Sequence, residues 1–200
     1  MQFLSVDSKI AFHLSDIPAS ESQVLHTLSQ LGFSPVLPDP AQLTQLAKTF
    51  IGAPYKYSTT LNTAPHIFNC TTLTRYVFRQ LGIWLPLFAF EQKEYGIGVT
   101  ENNIRPGDLV FRTGLSSSRW RNTPEEAIGH VGIVLGPDSI LHASFKNRSV
   151  CVDTLQTFID KQLFQGVARI LTPDMVVLTI PAHMEVERSS DVAVLLQKYF

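Results

Sequence analysis

The chain has 200 residues, 44% of them hydrophobic, enough to fill one core of ordinary size. Its 16 Lys and Arg stand against 17 Asp and Glu, so no net field gathers nucleic acid or an anionic membrane surface. No apolar run approaches the roughly 18 residues a spanning helix needs, and two cysteines far apart in the chain make no disulfide framework.

In chain order, Val24, Leu25, Leu28 and Leu31 fall at helical spacing over 20–31, ended by Gly32. After the PVLPDP break, Leu43, Leu46, Ala47 and Phe50 predict a second helix over 41–51, stopped at Gly52. The loop GAPYKYSTTLNTAPH follows. From Cys70 the apolar positions Leu73, Val77, Phe78 and Leu81 mark a third helix, closed by Gly82. Beyond Pro106 the pattern shortens to DLVFR, HVGIVLG, ILHASF, VCVDTL and GVARIL, which read as an antiparallel meander with turns at RPGD, GPDS and KNRS. The tail adds a strand, MVVLTI, and a short helix, DVAVLLQKYF. Helices followed by strands give an α+β class. One catalytic domain is expected over 1–200, with a helical lead at 1–45, a core at 46–171 and an appendage at 172–200.

Cys70 opens its helix. Free N–H groups and the dipole in a first turn favour a thiolate, and the same N–H groups can receive the oxyanion that forms when a carbonyl is attacked. Taken alone, a cysteine there reads first as a packed thiol. Two histidines alter that reading: His130 begins one strand and His142 lies in the next, 142 − 130 = 12 residues on, around a Gly-Pro-Asp turn. If the hairpin folds about Gly136, the two imidazoles stand directly opposite on one face, within hydrogen-bonding reach. A nucleophile, a base and a group that orients the base form the general arrangement for covalent catalysis.

FNCTTLTRYVFRQLGIWLP, RPGDLVF, GHVGIVLG and ILHA, in this order, resemble the NlpC family of papain-like cell-wall peptidases, over about Ala47 to Leu171. The resemblance implies a papain-like fold, with the nucleophile helix packed on the meander. It places the nucleophile on Cys70, the base on His130 and the orienting residue on His142. It also implies that Tyr55 lines the site and assists near the oxyanion, where an aromatic merely packed under the loop is the alternative. The expected activity is attack on an amide of a peptidoglycan stem peptide, at the bond between the D-glutamate γ-carboxyl and the diamino acid, with no cofactor. Two alternatives remain open: an amidase, thioesterase or acyltransferase of this fold acting on a non-murein substrate, and a catalytically silent binding module. The start, MQFLSVDSKIAFHLSD, shows no export signal. The expectation is therefore a cytoplasmic protein of wall-peptide recycling, or an exported one whose leader this sequence does not carry.

Such enzymes commonly carry Asp-Cys-Ser-Gly, whereas this chain reads Asn69-Cys70-Thr71-Thr72. Asn69 can cap the helix but offers a substrate ammonium only a dipole. Thr71 keeps a hydroxyl, and Thr72 adds bulk that narrows a cleft passing there. Cys151 reads as an inert packed thiol, and His13, His26, His66 and His183 as surface histidines. No metal site is expected, since Cys70, Cys151, His130 and His142 lack the paired short spacings of a zinc site. Trp120 and Arg121, in the polar stretch GLSSSRWRNTPEEAIG, offer a stacking face and an anion-binding fork, or belong to a solvated loop.

Overall fold

The computed structural model describes residues 2–114, 128–160 and 162–200. In chain order the elements are β1 (Lys9–His13), α1 (Glu21–Gln30), β2 (Ser34–Val36), α2 (Pro40–Lys48), α3 (Cys70–Gln80), α4 (Ala89–Tyr95) and β3 (Ile97–Val99). Then come β4 (Leu109–Thr113), β5 (Ile128–Gly136), β6 (Ser139–Ser144), β7 (Ser149–Thr154), α5 (Leu155–Phe158), β8 (Phe164–Arg169), β9 (Met175–Thr179) and α6 (Ser189–Leu196). They fall into two compact units. One comprises Met1–Asp39, Phe78–Trp84 and Thr172–Phe200, the other Pro40–Val77 and Leu85–Leu171.

In the first unit β9 lies between β1 and β2, antiparallel to both. The tail strand is therefore the middle strand of a sheet built from both ends of the chain. Ser20 caps α1 in a capping box with Gln23, which satisfies two N–H groups that the helix start leaves unpaired. Phe3, Ile10, Phe12, Leu28, Val192 and Leu196 are fully buried around this sheet. His13 is buried with them at 7% exposure, its Nδ1 3.1 Å from Thr172 Oγ1 and 3.3 Å from Asp174 Oδ1. This corrects the surface reading of His13; a buried imidazole needs such partners. His26, His66 and His183 are exposed.

The second unit carries a six-stranded sheet in the order β3-β8-β4-β5-β6-β7, every neighbouring pair antiparallel. Four consecutive strands, β4 to β7, form the meander expected from the alternating runs and their turns. β8 does not continue it. Leu155 and Phe158 of α5 turn inward against Val110, Val134 and Ile140, and the chain doubles back so that β8 pairs with the far side of β4. The RPGD turn anchors this arrangement: Asp108, 1% exposed, accepts the Arg105 N–H at 2.8 Å and both prongs of the Arg169 guanidinium at 2.8 Å. Gly107 supplies the φ of 91° that the turn requires, and donates its N–H to Val134 O.

Candidate active site

Cys70 is the first residue of α3, and Asn69 is its cap. Asn69 Oδ1 accepts the Thr72 N–H at 2.8 Å, and Thr72 Oγ1 accepts the Asn69 N–H at 2.8 Å. The pair closes like a capping box, with a threonine hydroxyl in the place of the usual Glu or Gln. Thr72 is fully buried in this cap, with Thr59 Oγ1 2.9 Å away, so its extra bulk is taken up by the helix start. The Thr71 hydroxyl lies 3.1 Å from Asn69 Oδ1. The Asn69 side-chain amide donates to Tyr57 O at 3.1 Å, which ties the dipole the sequence offered to a substrate into the preceding loop.

Cys70 is half-buried against the start of β5, its Sγ 4.0 Å from Gly129 O. Burial pushes the thiol up to about 11, while the backbone N–H groups of Val131, Thr71 and Cys70 itself pull the other way. Desolvation thus works against the help that the helix start gives a thiolate.

His130 and His142 do meet, with His130 Nε2 2.8 Å from His142 Nδ1 and the rings at 85°. The register differs from the one expected. Ile133 pairs with Leu141 and Val134 with Ile140, which centres the hairpin on Pro137 rather than Gly136. Continued along the strands, this register puts His142 across from Gly132, with His130 two residues further along β5. A whole-residue shift keeps both side chains on one face, so the imidazoles meet on the diagonal.

Beyond His142 stands a residue to which no sequence pattern pointed. On β7, Cys151 pairs directly with His142 and Asp153 lies two positions on, on the same face. His142 Nε2 is 3.0 Å from Asp153 Oδ2. A carboxylate only accepts, so His142 carries its proton on Nε2 and presents a lone pair at Nδ1. His130 then donates from Nε2, and its Nδ1 is the nitrogen left to take a proton. Burial, His142 and the charge of Arg112 hold His130 down to about 3, so it rests neutral. Burial also lowers His142, against the hydrogen bond and charge of Asp153, which raise it. Phe158 packs against both rings, at 5.5 Å from His130 and 4.9 Å from His142, and carries the Arg112 guanidinium 5.2 Å from its centroid.

Tyr55 arrives from a loop stitched to the outer edge of the sheet. Gly52 N–H donates to Val150 O and Val150 N–H to Ala53 O, each at 2.8 Å, and Tyr55 N–H donates to Arg148 O at 2.9 Å. Lys56 N–H donates to Phe68 O at 2.9 Å, tying the same loop to the segment just before Cys70. Burial above all raises the Tyr55 phenol to about 12, and a thiolate on Cys70 would add to this, so the phenol keeps its proton and can donate. Its ring also packs edge-on to Phe145 at 5.9 Å. Cys151 is not the packed thiol expected: it is half-buried, 3.5 Å from His142 Nε2, and accepts from Asn147 Nδ2 at 3.2 Å. Trp120 and Arg121 lie outside the described residues.

Comparison with known proteins matches residues 52–169 to the NlpC/P60 family. The chain is 33% identical over 144 residues to the gamma-DL-glutamyl hydrolase of Bacillus subtilis (strain 168), covering 70% of this chain and 32% of that protein. It is 26% identical over 123 residues to the gamma-D-glutamyl-L-lysine dipeptidyl-peptidase of Bacillus cereus, covering 60% of this chain and 34% of the relative. It therefore spans about a third of the length of these curated relatives. The solved structure of an NlpC/P60 family protein from Bacillus cereus superposes with a TM-score of 0.58 at 24% identity, over 68% of this chain and 42% of the other, a likeness of fold.

Proposed function

Because the chain belongs to the NlpC/P60 family, we propose that it is a cysteine peptidase that hydrolyses an amide bond of peptidoglycan stem peptides through Cys70, His130 and His142. The observation that carries this reading is the 2.8 Å contact between the two imidazoles, which leaves His130 Nδ1 unprotonated beside the strand segment against which Cys70 packs. Cys70 attacks the carbonyl carbon as its S–H proton passes to His130 Nδ1. A neutral resting pair suits this order, since the proton moves only when substrate is in place. The N–H groups at the start of α3 receive the oxyanion, with the Tyr55 phenol as a further donor. His130 returns the proton to the leaving amine; water, giving up a proton to His130, then attacks the acyl carbon, the carbon–sulfur bond breaks, and His130 returns that proton to the departing sulfur. No cofactor takes part in these steps.

Both curated relatives carry a gamma-glutamyl bond in their names, which supports the bond between the D-glutamate γ-carboxyl and the diamino acid as the target. Asn69 brings no charge and its amide is held by Tyr57 O. A free substrate ammonium thus finds no carboxylate at this position, which favours cleavage within a longer stem over trimming from a free amino end.

Defined stem peptides, with free and blocked amino ends, test the reading when products are weighed by mass spectrometry. The expected products come from one cut at the γ-D-glutamyl bond in both peptides, with no cut by Cys70→Ala. Turnover that survives in Cys70→Ala, or no cut in any stem peptide, overturns it. Cleavage confined to the free-amine peptide overturns the endopeptidase specificity alone.

A further inference from the structure

His142 Nε2, Cys151 Sγ and an Asp153 carboxylate oxygen all lie within 4.8 Å of one another, on the side of His142 turned away from His130. Their spacing is close to that of a coordination shell, with Asp153 needing to draw back from His142 by a few tenths of an ångström to admit the ion. Nε2 stands 3.0 Å from Asp153 Oδ2 and 3.5 Å from Cys151 Sγ, whereas donors around a tetrahedral zinc at its usual bond lengths sit roughly 3.3–3.8 Å apart. Imidazole, thiol and carboxylate together suit a borderline-soft divalent cation better than magnesium or calcium. The donors come from two paired strands, so the backbone fixes their spacing. Cys151 and Asp153 are half-buried while His142 is buried, which leaves room for water as a fourth ligand. Asn147 Nδ2, 3.2 Å from the sulfur, provides outer support.

We propose that His142, Cys151 and Asp153 form a site for a zinc-class divalent cation, and that its occupation silences Cys70. On binding, Cys151 gives its proton to solvent and coordinates as thiolate, and the cation replaces the proton on His142 Nε2. A neutral imidazole coordinated through Nε2 carries its remaining proton on Nδ1, so His142 donates to His130 where it had accepted. His130 then accepts at Nε2 and holds its own proton on Nδ1, the nitrogen that has to take the thiol proton. Both imidazoles stay neutral and their protons are only redistributed. The base is lost with Cys70 itself untouched.

The silencing rests on the hydrolase reading above, whereas the binding does not, and the test separates them. Co2+ added to metal-free protein is expected to give one equivalent with a near-ultraviolet thiolate-to-metal band. That band should persist in Cys70→Ser and vanish in Cys151→Ala. Zn2+ affinity by calorimetry should fall at least about tenfold in Cys151→Ala and in Asp153→Asn, with folding of each checked by circular dichroism. Absence of binding, or a band that follows Cys70 and persists in Cys151→Ala, overturns the site. Stem-peptide cleavage by each variant is then compared with and without saturating Zn2+. The expected loss for the native chain is tenfold or more, reversed by chelator, with little change in Cys151→Ala. Binding as expected with undiminished cleavage overturns the silencing, while no cleavage by metal-free protein counts against the hydrolase reading and leaves the cation site standing.

Discussion

Asp153 ends the line of hydrogen bonds that runs from His130 through His142, and on the proposed mechanism it is a positioning residue: it fixes which nitrogen of His142 holds the proton, and through it which nitrogen of His130 is free. In metal-free buffer, Asp153→Ala is expected to lower kcat about 10- to 100-fold with KM within about twofold. Asp153→Asn, whose amide oxygen can still accept from His142, should recover most of that loss. Equal loss in both variants, or loss carried by KM, would point to a structural role. The place of Cys70 at a helix start was legible from the apolar period that follows it, and the meeting of the two histidines from a spacing that straddles a turn. Asp153 was not, since one acid in a strand carries no pattern until the partner strand is in register. Cys151 was misread for the same reason: between two valines it looks like core, but an edge strand sets it beside a buried imidazole.

The hairpin of β5 and β6 depends on a glycine with no turn to make. A Cβ on Gly132 would come within 2.8 Å of the Ile140 side chain and 3.0 Å of the Phe158 ring, the ring on which both imidazoles rest. Gly132→Ala is therefore expected to cost about 1–3 kcal/mol in urea unfolding and to lower kcat, because displacing Phe158 shifts the floor under His130 and His142. Unchanged stability and rate would mean that Phe158 yields freely. Helix α3 and strands β4 to β7 were readable from their apolar periods and bounding turns. The partner of β8 was not, because local alternation marks a strand without naming its neighbour. The error in the hairpin register came from taking Gly136 as the centre, when the two-residue turn over Pro137 and Asp138 closes between Gly136 and Ser139 and an irregularity between Val134 and Gly136 then sets the strands in the register centred on Pro137.

At the scale of the molecule, the lead and the tail that the sequence set apart from the core share one sheet through the pairing of β1 and β2 with β9. No local pattern announces a pairing across most of the chain. Asp174 stands at the start of β9 in this unit. Burial raises its carboxyl, but hydrogen bonds from Ser15 and Thr172 and the charge of His13 outweigh that and hold it at about 2, below its usual 3.8. A lowered carboxyl stabilises the fold above the unfolded value, and the contribution is lost as pH falls from 3.8 through about 2. Asp174→Asn should therefore cost about 1–2 kcal/mol at neutral pH. Its Tm should vary less than that of the native chain over this acid range, and parallel Tm curves would remove the account. The other unit carries its own safeguard at the sheet margin. β7 is an outermost strand, and Gly52 to Tyr55 take up the backbone donor and acceptor of Val150 and the carbonyl of Arg148. A margin occupied in this way gives no template there for a strand from another molecule. The loop that brings Tyr55 to the sulfur thus also works against self-association, and shortening it to widen the cleft would trade substrate access for colloidal stability.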